Sequence, residues 1–463
     1  MTSSSGDDNA ISPVGMVNGF QPADRARQPP EITSMLGRRA DLLGPGYQLF
    51  YADPIEVSHA RDVFLYGRDG TEYLDAYNNV AQIGHCHPKV VEAVSRQLGT
   101  LNTNTRYLQS TILELSEELL ATFPSVLNRV TYTCSGSEAN DLAMRIANHH
   151  TGATGMIVTR NAYHGVTSST AAFSPSLGTG SPLGSHVRLI DPPDPRRSDG
   201  DGTLEDVLRA NVRKAAEDLH RHGHGVSAFI ADSVFSSDGV FTHPTPTLGA
   251  VADEVRQAGG LVIADEVQAG FGRTGDDWWG FQRHQFAPDI VTLGKPMGNG
   301  YPVAAVVLRE EVGREFASAV RYFNTFGGSS AAMAAVLAVL AVIKEEDLVG
   351  RAQTMGGYLR RSLQESLADI GTVAQVRGVG MFYGIEICGP DGSSAAGADI
   401  ARVVVNEVRR DGVLISASGP GGNVLKIRPP LTFRRAHVDR LVGALTSALR
   451  RTPFTAMTHG GSR

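Results

Sequence analysis

Residues 261–295 read LVIADEVQAGFGRTGDDWWGFQRHQFAPDIVTLGK. The first run is apolar at successive positions and ends on two carboxylates, Asp265 and Glu266. Short continuous apolar runs of this kind suit strands covered on both faces, as in parallel sheets. The second run, DIVTLG, delivers Lys295 into a glycine-rich turn, PMGNG. Two buried strands therefore end on a carboxylate and a lysine. In open α/β sheets, ligands gather at the carboxyl ends of strands. Asp232 ends a third run, VSAFIAD, so one crevice can hold Asp232, Asp265 and Lys295.

Outward from this stretch, apolar runs alternate with amphipathic segments. RVTYTC, GMIVT, VSAFIADSV and PVAAVVL read as strands. HPKVVEAVSRQLGTL, STILELSEELLATFP, TLEDVLRANVRKAAEDLHRHG and TLGAVADEVRQAGG read as helices. FLYGRDGTEYLDAYNN reads as a hairpin, 175–202 as a polar Pro/Gly-rich loop, and 329–346 as a buried helix of small residues. The alternation predicts an α/β fold: a large domain whose mostly parallel sheet is flanked by helices, plus a smaller α/β domain. The expected boundaries are a mobile tail over 1–30, the N-terminal part of the small domain over 31–95, the large domain over 96–335, the C-terminal small domain over 336–452, and a tail over 453–463.

The bulk numbers narrow the function classes. The chain has 463 residues, 41% of them hydrophobic and 19% charged, with a net charge of −6. That is globular composition without the basic bias of a nucleic-acid or membrane surface. No apolar run approaches a bilayer span, and no signal-peptide pattern opens the chain, so a cytoplasmic location is expected. Cys86, Cys134 and Cys388 are far apart, which points away from disulfides and zinc. His85 and His87 lack a third ligand nearby and read as a structural turn, so no metal is expected. Gly378-Val379-Gly380 lacks a following phosphate-binding helix and reads as strand and turn.

Lysine is scarce. Only Lys89, Lys214, Lys295, Lys344 and Lys426 occur. Lys89, Lys214 and Lys344 fall on predicted helix surfaces, which leaves Lys295 and Lys426 for a buried site. Desolvation lowers a lysine's pKa and suits it to imine formation. Asp265 placed against a pyridinium nitrogen would keep that nitrogen protonated, and the ring could then accept electrons from a carbanion. This pairing reads as a pyridoxal 5'-phosphate (PLP) site. Val267 would pack on the ring face, and Gln268 could reach a phenolic oxygen. Ser135-Gly136-Ser137-Glu138 joins a strand to a helix and reads either as a phosphate cup at a helix N-terminus or as an ordinary capped helix. Tyr163, in NAYHG, reads either as a ring-stacking aromatic or as a turn residue at the core edge. His164 is grouped with the cofactor contacts.

Taken together, SGSEAND, NAYHG, IADEVQAGFGRTG, TLGKPMGNGYPVAAV, FNTFGG and KIRPPL resemble the class III aminotransferase family of PLP enzymes, fold type I. The likeness spans about residues 40 to 450. It implies that Lys295 carries the Schiff base and Asp265 pairs with the ring nitrogen. It also implies that Gln268 contacts the ring hydroxyl, Tyr163 stacks on the ring, and Gly136 and Ser137 hold the phosphate. Thr325 would complete the phosphate site from a neighbouring subunit, in a homodimer with its site at the interface.

Within that family the chain is most similar to the amino-alcohol-phosphate phospho-lyase branch. Ordinary members place an arginine three residues before the Pro-Pro pair. Lys426 stands there, and lysine lacks the bidentate fork that grips an α-carboxylate. Asp232 replaces the family's usual glutamate and Phe235 follows it, so Phe235, Lys426 and Arg428 are the expected substrate contacts. The implied reaction is elimination of phosphate from a phosphorylated amino alcohol or amino sugar. The alternatives are transamination of an amine or amino sugar, as in aminoglycoside biosynthesis, and PLP binding without turnover.

Overall fold

The structure is a computed structural model that describes residues 16–78, 80–197, 203–243, 245 and 247–452. In chain order, α1 (Pro30–Leu43), β1 (Val57–Arg61), β2 (Phe64–Gly67), β3 (Glu72–Asp75), α2 (Pro88–Thr100) and α3 (Ser110–Leu120) come first. Next are β4 (Arg129–Thr133), α4 (Gly136–Thr151), β5 (Met156–Thr159), α5 (Ser168–Ala171), β6 (Val187–Ile190), α6 (Leu204–Arg221) and β7 (Ala228–Asp232). Then α7 (Leu248–Gln257), β8 (Leu261–Asp265), β9 (Ile290–Leu293), β10 (Ala304–Leu308), α8 (Glu310–Ala319), α9 (Ser330–Glu345) and α10 (Leu348–Leu367) follow. The last elements are β11 (Val373–Val379), β12 (Phe382–Ile387), α11 (Ser394–Arg410), β13 (Val413–Leu414), β14 (Ser416–Ser418), β15 (Val424–Ile427) and α12 (Arg435–Arg451).

The central sheet has seven strands in the order β4-β10-β9-β8-β7-β5-β6. β10 runs antiparallel to both its neighbours, and the pairs from β9 to β6 are parallel. The continuous apolar runs have the predicted cause. Ala228 and Ile230 pack under α4 and α8, while Phe229 and Ala231 face α6 and α7. Register then sets the site: Asp232 lies opposite Asp265, and Asp265 opposite Thr292, three residues before Lys295.

Two four-stranded sheets complete the fold, β1-β2-β3-β13 and β11-β12-β15-β14. The first joins the N-terminal hairpin to the C-terminal half through the parallel β3–β13 pair. The run 413–418 is split between the two sheets at buried Ile415. The small-residue helix α9 is deeply buried, as its composition predicts.

Two expectations need correction. The segment 175–202 contains strand β6, an edge strand parallel to β5. Four residues set among prolines and glycines carry too little periodicity to stand out, yet Val187 and Ile190 are buried. The tail expected over 1–30 is also too long. Residues 1–15 and 453–463 lie outside the described residues. From residue 16 onward the chain packs: buried Asn18 accepts a hydrogen bond from Ser416 Oγ at 2.9 Å, Gly19 bridges Phe50, and 22–27 form a short 3-10 helix.

Candidate active site

The carboxyl ends of β7, β8 and β9 and the N-terminus of α4 surround one small cavity of about 90 Å3. It is lined by Gly136, Ser137, Asn140, Tyr163, His164, Gly165, Asp232, Asp265, Val267, Gln268 and Lys295. A roomier hollow of about 580 Å3 lies between the 175–183 loop and the C-terminal strands. Its arginines, Arg160, Arg196 and Arg377, pair with Asp191, Asp194 and Glu386.

Asp265 is buried among hydrogen-bonding partners. Its Oδ2 accepts from Asn140 Nδ2 at 2.9 Å and faces His164 Nδ1 at 2.7 Å, while Oδ1 accepts from Val267 N at 3.1 Å. His164 is held in turn by Ser174 Oγ, which accepts from its backbone N–H at 2.9 Å. Asn140 also donates to the His164 carbonyl at 2.7 Å, so one amide orients both partners.

At the opposite end of the cavity, Ser135 caps α4 by accepting from Glu138 N at 3.2 Å. Glu138 reaches back to Cys134 N at 2.7 Å, one residue before the cap, rather than to the Ser135 N–H that a capping box engages, so only the Ser135 half of the expected box forms. Gly165, with φ of 143°, approaches Ser137 so closely that a Cβ there would sit 2.5 Å from Ser137 Oγ. Ser137 Oγ accepts from Val166 N at 3.1 Å. Gly136 lets the first turn of the helix press against Val267, which a Cβ at Gly136 would meet at 3.0 Å.

Lys295 projects into the cavity, with Nζ 6.0 Å from the Tyr163 ring centroid. The surrounding protein lowers its pKa, chiefly by desolvation and then through Arg428; Asp265 and Asp232 oppose that shift. Burial raises the Asp232 carboxyl above the usual range, while the backbone N–H groups of Val234 and Ser236, each at 3.0 Å, partly offset the effect. Burial, and to a lesser degree Asp265, raises the Tyr163 phenol.

These features fit PLP. A buried carboxylate without a lysine or arginine partner suits a protonated ring nitrogen. A capped helix N-terminus suits a phosphate. A half-exposed tyrosine ring and Val267 border a slot for a flat ring, and a lysine with a lowered pKa opens into it.

The substrate-side expectations divide. Lys426 is buried, and its Nζ donates to the Ser236 carbonyl at 3.2 Å. Arg428 lies over the Tyr77 ring at 4.5 Å and donates to Gln268 Oε1. Gln268 Nε2 donates to Ser236 Oγ at 2.7 Å, so Gln268 couples the cavity to this second group. Phe235 does not belong to it. A left-handed turn after β7 (φ of 49°) sends its ring into the core beneath α6 and α7, edge-on to His284. Thr325 is exposed, between α8 and α9, and does not line this chain's cavity.

Sequence reasoning missed Asn140, although its position one turn beyond Gly136 on the same helix was a usable signal. It also missed Arg273. This fully buried guanidinium donates to the carbonyls of Met381 (3.1 Å) and Pro429 and to Gln82 Oε1, tying the loop after β8 to the segment that carries Arg428. Burial lowers its pKa to about 9. The two histidines of the HCHP turn are accounted for locally, His85 on Asp75 at 2.7 Å and His87 near Glu346. Among the described residues no helix is long and apolar enough to cross a membrane.

The sequence profile of the class III aminotransferases matches residues 50–449, and the chain belongs to that family. It is a PLP-dependent enzyme. An "Ethanolamine-phosphate phospho-lyase homolog 1" from Caenorhabditis elegans is 38% identical over 461 residues, covering 95% of this chain and 98% of the relative. An "Alanine--glyoxylate aminotransferase 2-like" protein from Drosophila melanogaster is 36% identical, covering 89% and 85%. Among solved structures, a phospholyase from Arthrobacter in complex with phosphoethanolamine is similar at 44% identity and a TM-score of 0.87, covering 90% of this chain and 100% of that one. A Bacillus anthracis aminotransferase matches at 26% identity and a TM-score of 0.81, covering 91% and 99%.

Proposed function

We propose that the protein eliminates phosphate from a small phosphorylated amine, of which phosphoethanolamine is the first to test. The observation that carries this reading is the pair Lys426 and Arg428. Both are buried at the substrate side, and neither has a carboxylate within ion-pair distance among the described residues. Two cations left without a counter-ion suit a dianionic phosphate. Lysine at position 426 weakens the case for an α-carboxylate, which favours a bidentate arginine. The phospho-lyase relatives support the same substrate class.

PLP, when bound, supplies an electron sink for a carbanion. The roles of this chain's residues follow from their surroundings. Asp265, oriented by His164 and Asn140, holds the ring nitrogen in its protonated form. Gly136, Ser137 and the α4 N-terminus bind the cofactor phosphate. Tyr163 and Val267 would border the ring faces, Gln268 would meet the ring hydroxyl, and Asp232 closes the cavity beside Asp265. Lys295, facing the cavity with its pKa lowered, would anchor the cofactor and remove the proton from the carbon that bears nitrogen. Lys426 and Arg428 hold the substrate phosphate.

The functional unit is a homodimer. Tyr107, Leu108, Leu113, Phe323 and Phe326 expose apolar side chains around the exposed Thr325, and a second copy would cover them while bringing its Thr325 to the cofactor phosphate.

The test incubates the yellow holoenzyme with phosphoethanolamine and, separately, with ethanolamine. Phosphate release with a persistent yellow band supports elimination. Bleaching to the pyridoxamine form without phosphate release replaces it with transamination, the reading favoured by the aminotransferase relatives.

A further inference from the structure

Three cations share the interior of this site, and they are not equivalent. Arg428 is fixed by Gln268 and by the faces of Tyr77 and Phe382. Lys295 opens into the cofactor cavity. Lys426 lies on β15, two residues before Arg428, which follows the end of that strand; it is 6% exposed, with one hydrogen bond among the described residues, to a neutral carbonyl, and the Phe382 ring at 5.7 Å. The charged groups that bear on it are Arg428 just past the end of its strand, Asp232 from the end of β7 and Lys295 from the turn after β9. Burial comes first in holding its pKa well below the ordinary lysine value, followed by Arg428; Asp232 opposes and Lys295 assists. A lysine in this state can hold a proton and also release one, whereas a guanidinium stays charged.

Elimination of phosphate requires such a group. Breaking the C–O bond of a phosphate monoester dianion sends the electron pair onto the departing oxygen. Without a proton the product would be trianionic phosphate, a very poor leaving group. Lys295 is engaged with the carbon proton. Asp232 has both oxygens on the backbone N–H groups of Val234 and Ser236 and sits on the cofactor side.

We infer that Lys426 is the acid that delivers a proton to the departing phosphate. The inference rests on the elimination reading above. Lys295 accepts the proton from the nitrogen-bearing carbon, a double bond forms to the next carbon, and the C–O bond breaks. Lys426 Nζ gives its proton to the leaving oxygen, so hydrogen phosphate departs and the neutral amine remains, to be reprotonated from solvent as the product leaves. The Ser236 carbonyl positions Nζ without a carboxylate that would lock the proton in place.

The experiment compares two esters of ethanolamine on the holoenzyme. The phosphate ester needs a proton to leave, whereas the sulfate ester leaves as a stable dianion without one. Lys426→Gln should lower kcat for the phosphate ester by about 10²-fold or more, a loss much larger than that for the sulfate ester, while KM rises for both because a binding charge is gone. Lys426→Arg should restore KM for the phosphate ester but not kcat. Equal kcat losses on both esters, or recovery of kcat by arginine, would overturn the acid role and leave Lys426 as a binding charge.

A binding measurement decides the matter if Lys426→Gln fails to fold or the sulfate ester is not turned over. Measured over a series of pH values, inorganic phosphate binding to the wild-type holoenzyme should be accompanied by proton uptake, counted by calorimetry in buffers of different ionisation heat. Lys426→Arg should take up none, and absence of uptake in the wild type overturns the proposal. A wild type that releases neither anion from its ester would instead overturn elimination itself.

Discussion

Asp265 and Lys426 are both buried near Asp232 and Lys295, but their partners differ in kind. Asp265 accepts hydrogen bonds from Asn140 and Val267 and pairs with His164, all supplied by elements of the central sheet or its first helix. Lys426 donates one bond to a carbonyl on the 232–241 loop, and its strand belongs to a different sheet. The cofactor side is therefore over-determined, with several donors fixing one carboxylate. The side proposed for the substrate is under-satisfied, with cations that lack a carboxylate counter-ion among the described residues. A saturated wall suits a group that stays through every turnover, and an unsaturated wall suits one that arrives charged and leaves.

The largest expected effect probes the junction of the two sides. Lys295→Ala should lower activity by about 10⁴-fold, since it removes both the anchor and the base, and should abolish the yellow absorbance. An unchanged band would overturn the cofactor assignment. Asp265→Asn preserves the shape of the saturated wall but removes its charge. It should keep the cofactor bound and cost about 10²-fold or more in kcat. A variant with full kcat would mean that the ring nitrogen needs no carboxylate. Asn140→Ala removes one donor to a buried carboxylate, a contact of about 1.5–3 kcal/mol, or about 10- to 100-fold in rate. If KM for the amine moves more than kcat, the wall is less rigid than its hydrogen bonds imply.

The same contrast explains what the sequence revealed. Asp265, Val267, Gln268 and Lys295 fall in one contiguous stretch, and strand register brings Asp232 alongside. Short-range pattern was enough to locate them. The lysine at 426 was noticed as a departure, but its partner Ser236 lies 190 residues away, and the pairing depends on how two sheets pack. Phe235 was misplaced for a related reason: strand alternation says nothing once a residue turns left-handed, and its ring entered the core instead of the site. Strand β6 was hidden by its shortness. Arg273 was invisible as a staple because its acceptors are backbone carbonyls, which leave no residue-type signature.

The smallest expected effect concerns the root of the 232–241 loop, the part of the substrate wall nearest the large-domain core. His284 is buried, its Nε2–H donates to the Ser233 carbonyl at 2.9 Å, and its Nδ1 accepts from Thr247 N at 3.2 Å at the start of α7. Those partners require the neutral Nε2–H tautomer. Burial accordingly lowers its pKa from 6.5 to about 4. The folded value is the depressed one, so its stability contribution is complete above pH 6.5 and is lost as pH falls toward about 4. Between those limits the unfolded chain binds the extra proton, and stability should fall by at most about 1.4 kcal/mol per pH unit. His284→Gln, which keeps a donor and an acceptor without titrating, should flatten that slope in denaturant melts while the yellow band persists. If instead the wild type shows no acid slope beyond that of the variant, the loop root tolerates a charged imidazole. The substrate wall would then be loose at its base as well as unsatisfied at its surface.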